Sequence, residues 1–193
     1  MKLILASDSQ RRKDLLSHMG FEFSAVRHRF DEESVLTDNP SAFVEECSLK
    51  KAESVCDDFP NDIIVGSDTV VYMGGSIIGK PVSVDEAEDM LREFSGRQHY
   101  VYTGITLIYQ KRAITKNIVT SVKFKIIDEG ELQWYLSNAD YMDKAGAYAI
   151  QKEASFFIEA IDGDYFNIVG FPVRLFSQML KEITGEEFYE FIH

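Results

Sequence analysis

Asp62-Ile63-Ile64-Val65-Gly66-Ser67-Asp68-Thr69-Val70-Val71-Tyr72-Met73 is apolar and rich in β-branched residues, interrupted only by Gly66-Ser67-Asp68-Thr69. Such a run reads as a buried strand, here a central one that delivers Asp68 to a cleft. A carboxylate beside so apolar a stretch is costly unless it is paired, bound to metal or open to a cleft. Asp68 is therefore a candidate metal ligand, or the base that activates a water. It reads also as a turn residue capping local N–H groups.

Working outward, Lys2 to Ala6 predicts a short buried strand, and Ser9 can cap a helix over Arg11 to Met19 that Gly20 ends. Phe21 to Val26 alternates as a strand, and Pro40-Ser41 opens a helix to about Cys56. Downstream, Gly74-Gly75 makes a hairpin-type turn. Ser83 caps a helix from about Val84 to Phe94, which Gly96 closes. Strands follow near Gln98 to Tyr109 and Ala113 to Lys125, turning around Lys111. A helix lies near Glu129 to Ser137. Ala147 to Gln151 and Phe156 to Ile161 read as strands, and Pro172 starts a helix to about Glu182, with a short terminal helix after it. Strands and helices mix throughout, so the class is α/β with a mixed sheet and flanking helices. The 193 residues suit one domain, 1–193, with two lobes around a cleft. Trp134 and the phenylalanines are expected in the core.

The formal net charge is -12. A nucleic-acid binder would carry a basic face, so no nucleic-acid partner is expected. No run approaches the ~18 apolar residues of a membrane helix, and Asp8 and Arg11-Arg12 cut short the apolar start. No membrane partner is expected, and a cytoplasmic location is. An acidic chain that binds an anion needs local Lys and Arg groups, a metal, or both. Cys47 and Cys56 fall on one predicted helix, where a disulfide would be strained, so both read as reduced packing residues. His18, His28, His99 and His193 have no zinc-like spacing.

Four segments could carry chemistry. Ser7-Asp8-Ser9-Gln10-Arg11-Arg12 lies between a strand and a helix start, where N–H groups, hydroxyls and a guanidinium can grip phosphate. It reads equally as an N-cap and a solvated basic turn. Gly74 with Gly79-Lys80 nearly spells a P-loop, but Pro81 stands where Ser or Thr should be and no helix begins. Lys80 is thus either a phosphate-facing turn lysine or an ordinary exposed one. Asp143-Lys144-Ala145-Gly146-Ala147-Tyr148-Ala149-Ile150-Gln151 has small residues that permit close ligand approach, and the Gln151 amide could read a base edge. Asp31, Glu32 and Glu33 form an acidic cluster; one could help hold a metal, though solvated loop acids are the ordinary case. Lys51, beside Lys50, reads by itself as a surface lysine. The paired aspartates of a haloacid-dehalogenase-type phosphatase are missing: Gly66 stands two residues before Asp68. No Ser-His-Asp or Cys-His set is defensible from spacing.

In order along the chain, these segments resemble the Maf family of nucleoside triphosphate pyrophosphatases, related in fold to inosine triphosphate pyrophosphatases. The marks are Leu5-Ala6-Ser7-Asp8-Ser9-Gln10-Arg11-Arg12, Asp31-Glu32, Lys51-Ala52, Gly66-Ser67-Asp68-Thr69-Val70-Val71, Gly79-Lys80-Pro81, Ser95-Gly96-Arg97, His99 and Thr103-Gly104. They continue in Asp143-Lys144-Ala145-Gly146-Ala147-Tyr148, Ile150-Gln151, Asp162-Gly163-Asp164-Tyr165 and Val169-Gly170-Phe171-Pro172. The resemblance implies Asp68 as catalytic acceptor, Ser7, Arg11, Lys51 and Lys80 as the phosphate-binding set, and Glu32 with Asp68 at a divalent metal, Mg²⁺ or Mn²⁺. Arg11, Thr69 and Gln151 match the branch acting on dTTP and UTP. A homodimer is implied too. Two positions depart from the family pattern: Gln10 where Pro is usual, and Ala149 where Gly is usual. The alternative function is a nucleotide-binding cell-division regulator without catalysis.

Overall fold

A computed structural model describes residues 1–192, except the side chain of Glu33; His193 lies outside the described residues. The strands are β1 (Leu3–Ala6), β2 (Phe23–Val26), β3 (Ile63–Met73), β4 (Ser76–Ile78), β5 (Gln98–Tyr109), β6 (Arg112–Phe124) and β7 (Ile158–Asp162). The helices are α1 (Gln10–His18), α2 (Pro40–Cys56), α3 (Val84–Phe94), α4 (Glu129–Asn138), α5 (Tyr165–Val169) and α6 (Val173–Thr184). Seven strands form one mixed sheet in the order β2-β1-β3-β5-β6-β7, with β4 pairing the end of β3. β1 runs parallel to both β2 and β3, while β4 and β7 pair antiparallel. The chain divides into two compact units, one of residues 1–69, 103–118 and 170 onward, the other of residues 70–102 and 119–169. Among the described residues no helix is long and apolar enough to cross a membrane.

In the first unit the strand period of two sorts the side chains onto two faces. Leu3, Leu5, Ile63, Val65, Ile105 and Leu107 join Leu16 of α1 and Phe176, Met179, Leu180 and Ile183 of α6 in one core cluster. Ile4, Ala6 and Ile64 instead meet Ala52 and Val55 of α2. Helix α2 sits unusually close to this second face. A Cβ on Gly66 would lie 2.1 Å from the Ser48 carbonyl oxygen, and one on Gly104 would lie 2.2 Å from that of Val44. No side chain fits at those distances, so the two glycines let the helix backbone rest on the strands. A hydroxyl chain, Ser48–Thr106 at 3.0 Å and Thr106–Thr115 at 2.8 Å, satisfies the polar groups beneath it. Asn39 caps α2 by accepting from the Ala42 N–H at 3.1 Å. Ser9 occupies the N-cap position of α1 but its side chain makes no capping bond, contrary to the sequence expectation. Both cysteines are free thiols on α2, as expected.

The second unit holds an aromatic core in which Phe94 stacks on His99 at 4.4 Å while Phe124 and Tyr148 meet them edge-on. Ser83 caps α3, and Asp128 with Glu131 forms a capping box on α4. The Gly74-Gly75 turn has φ of 62° and 91°, the left-handed pair that a tight hairpin requires. Three expectations are corrected here. Ala147 to Gln151 is not a strand: a 3₁₀ turn covers Ala145–Ala147 and turns follow. Gly146 and Ala147 both have positive φ, 68° and 58°, which breaks an extended path. The second strand begins at Ile158, because Glu153–Phe157 coils as a 3₁₀ helix. Trp134 is not core. Leu132 and Tyr135 form the buried side of α4, so Trp134 turns outward against Phe156, itself exposed. Phe188, in the first unit, is also exposed.

Candidate active site

Asp68 lies in the middle of β3, which runs through Gly66-Ser67-Asp68-Thr69 without interruption. It shares the face of Ile64 and Gly66, the face that α2 covers. The buried positions of α2 are Val44, Cys47, Ser48, Lys51, Ala52 and Val55, a helical stripe that brings Lys51 over Asp68. Lys51 is thus no surface lysine: it is 3% exposed and Asp68 is 5% exposed. Lys51 Nζ donates to Asp68 Oδ1 at 2.5 Å and stands 2.8 Å from Glu32 Oε1. Glu32 comes from the 3₁₀ turn Glu32–Ser34, and His28 Nε2 approaches the same Oε1 at 3.7 Å. Burial, then the Lys51 charge, holds the His28 imidazole below its ordinary pKa, with Glu32 opposing. Two carboxylates therefore converge on one ammonium. Cys47, beside them, is pushed up to about 12, mainly by burial and then by Asp68, so it is no nucleophile.

The opposite face of β3 carries Ser67 and Thr69, and meets α1. Here the organising residue is Arg12, which sequence reasoning quoted without assigning it a role. Its guanidinium donates through Nε to the Gly170 carbonyl at 2.9 Å, and through its terminal nitrogens to Ser7 Oγ at 3.3 Å and Thr69 Oγ1 at 3.1 Å. Thr69 Oγ1 also lies 2.9 Å from Thr103 Oγ1. Ser7 Oγ in turn accepts from the Ser9 N–H at 3.2 Å. Arg12 is buried, and desolvation lowers its pKa, Asp68 opposing and Arg11 adding to the decrease. Its burial was readable: Arg12 and Leu16 are one turn apart and are the buried residues of α1. Arg11, half-buried, precedes it on the same helix. Gln10 takes the first helical position and donates to Asp14 at 2.6 Å.

The first unit brings Glu32, Lys51 and Asp68 together on one face of β3, and Ser7 and Thr69 together around Arg12 on the other, with Arg11 near enough to Arg12 to act on its charge. Lys80 and Gln151 belong to the second unit, both exposed, on the turns after β4 and after Ile150. The turn of Lys80 is tied to the 3₁₀ turn Ala145–Ala147, centred five residues before Gln151: the Gly146 N–H donates to the Gly79 carbonyl at 2.9 Å. Lys144 is buried and ion-paired with the exposed Asp140, at 3.1 Å, and Asp143. Asp31 is an exposed loop residue, and Ala149 is buried.

Glu32 and Asp68 both turn carboxylate oxygens on the Lys51 ammonium; carboxylates are the donors a hard divalent cation takes, and these two could hold one only with Lys51 displaced. Among the described residues no group of three or more His, Cys, Asp or Glu could hold a metal ion. With two carboxylates only, a divalent cation would complete its shell with waters and substrate oxygens.

The chain is 42% identical over 189 residues to the dTTP/UTP pyrophosphatase of Syntrophus aciditrophicus, covering 97% of this chain and 92% of that one. It is 41% identical to the dTTP/UTP pyrophosphatase of Symbiobacterium thermophilum, covering 94% and 93%, and 41% identical to that of Pyrococcus horikoshii, covering 94% and 96%. Among solved structures it is similar in fold to the Ham1 protein of Staphylococcus aureus, with a TM-score of 0.53 at 15% identity over 95% of this chain and all of that one. A HAM1 protein from Coxiella burnetii gives 0.54 at 12% identity, covering 94% and 99%. The model of the Maf-like protein family matches residues 2–183, and the chain belongs to that family.

Proposed function

We propose that this protein hydrolyses nucleoside triphosphates, dTTP and UTP foremost, to the monophosphate and pyrophosphate. The observation that carries the reading is the buried Lys51 ammonium held between Asp68 and Glu32. That arrangement has both an acceptor for a water proton and a cation for phosphate oxygens at one point. The names of the relatives, dTTP/UTP pyrophosphatases at about 40% identity, support the same chemistry.

In this reading Arg11, Lys51 and Ser7 bind the triphosphate, with Lys80 adding a further cation. Two unit charges at ~4 Å attract by about 1 kcal/mol in water and about 4 kcal/mol at an effective dielectric of 20. A lysine as buried as Lys51 therefore contributes more than a solvated one. When phosphate draws Lys51 away, Asp68 is free to accept a proton from the attacking water. The water oxygen bonds to the α-phosphorus, the bond to the bridging oxygen breaks, and pyrophosphate leaves. A divalent cation, Mg²⁺ or Mn²⁺, would be held by Glu32 and Asp68 and would supply Lewis-acid neutralisation of the phosphates. Arg11, Thr69 and Gln151 set the preference for a pyrimidine base. We read residues 1–193 as one Maf-like domain, in the cytoplasm and as a homodimer.

The test is pyrophosphate release from UTP, dTTP, CTP and 7-methyl-GTP with magnesium. UTP and dTTP should turn over fastest. Nucleotide binding without pyrophosphate release from any of the four would leave the non-catalytic regulator as the correct account.

A further inference from the structure

Ala147 is a non-glycine residue at φ 58°, directly after Gly146 at 68°. Two consecutive left-handed residues, one of them carrying a Cβ, persist only where the surroundings over-determine them. Here the anchors are specific. Tyr135 Oη donates to the Ala147 carbonyl at 3.0 Å, and Tyr148 Oη lies 2.8 Å from His99 Nε2. His99, Tyr135, Ala147 and Tyr148 are all buried. Phe94 and Val71 pack tightly over Gly146, where a Cβ would meet them at 3.0 and 3.2 Å. Among the described residues the buried His99 Nδ1 has no hydrogen-bond partner, and the one polar tie of the imidazole there is to Tyr148. An apolar residue would fill this place at lower cost, which argues that the tie itself is what the position is for. The anchored segment leads, through buried Ala149 and Ile150, to exposed Gln151, and its Gly146 N–H grips the turn that carries Lys80.

We propose that Tyr148, locked by His99, is a positioning residue for base selection: it fixes the turn that presents Gln151 and, through the Gly146–Gly79 bond, the turn that presents Lys80. This rests on the reading of Gln151 and Lys80 given above.

Tyr148→Phe removes only the hydroxyl. Measured on UTP, dTTP and CTP with magnesium, it should keep kcat within about threefold, raise KM for UTP and dTTP about tenfold, and shrink the preference over CTP to a similar degree, as loss of one buried hydrogen bond allows. His99→Gln, which can still bond the hydroxyl, should restore KM and selectivity. His99→Phe should behave like Tyr148→Phe, and this pair supplies the comparison if Tyr148→Phe does not fold. Amide exchange of residues 146–152 should speed up in Tyr148→Phe and His99→Phe but not in His99→Gln. Unchanged KM, selectivity and exchange in folded Tyr148→Phe would overturn the proposal, as would an equal loss on all three bases. Wild-type protein that releases no pyrophosphate would refute the enzymatic reading separately, and the exchange arms would still decide whether the pair anchors the turn.

Discussion

The two units hold their candidate residues by different means. In the first, Asp68 sits mid-strand and Lys51 mid-helix, and two glycines let that helix rest directly on the strands. In the second, Lys80 and Gln151 ride on exposed turns steadied from below by buried tyrosines and a histidine. Regular elements fix a charged pair to a fraction of an ångström, as acid–base chemistry demands. Turns with anchors fix a direction and leave the tip free to meet different ligands. On this view chemistry and recognition in this protein fail differently when damaged.

Lys51→Met should break the contrast hardest. It leaves Asp68 buried without its ammonium, and removing one member of a buried pair costs about 3–5 kcal/mol. Chemical denaturation should show a loss of that size together with loss of turnover. Wild-type stability would mean that water reaches Asp68 freely.

Gly104→Ala comes next. Its methyl would lie 2.2 Å from the Val44 carbonyl oxygen, so α2 must move outward and carry Lys51 with it. Overpacking of this kind costs about 3 kcal/mol. The fall in kcat should exceed what the lowered Tm explains, measured well below the unfolding transition.

The third prediction sharpens the contrast from the other unit. Burial depresses His99 from 6.5 to about 4 in the folded protein. A neutral native histidine contributes stability that is present above the unfolded value of 6.5 and is lost as pH falls toward 4. A shift of this size corresponds to up to about 3 kcal/mol. Denaturation midpoints of wild type should therefore fall across that window more steeply than those of His99→Gln. Parallel curves would show that His99 is not buried as described.

The sequence made much of the first unit legible. The continuous apolar, β-branched run Ile63-Ile64-Val65 assigns the strand and Pro40 marks the start of α2; in the second unit, Ser83 marks α3 through its cap. Lys51 was readable but misjudged: it continues the stripe Val44, Cys47/Ser48, Lys51/Ala52, Val55, a signal that outranks the ordinary exposure of lysine. The pairing of Lys51 with Asp68 was not legible, because it depends on how close the helix approaches the sheet, and that distance is set by Gly66 and Gly104 acting at different points of the chain. The turn at Gly146-Ala147 was also hidden. Alanine gives no local cue for a left-handed φ, and its anchors, Tyr135 and His99, lie on other elements. Trp134 misled for a related reason: hydrophobicity says a residue can be buried, but the facing of α4 decides whether it is.

The most direct test of the central claim is Asp68→Asn. Asparagine keeps an oxygen for Lys51 but cannot take a proton from water. With UTP or dTTP and magnesium, pyrophosphate release should fall at least about a thousandfold, since general-base catalysis contributes roughly 10²–10⁴ and an altered carboxylate at the metal adds to the loss, while the variant still unfolds cooperatively. Wild-type turnover by folded Asp68→Asn protein would contradict the account.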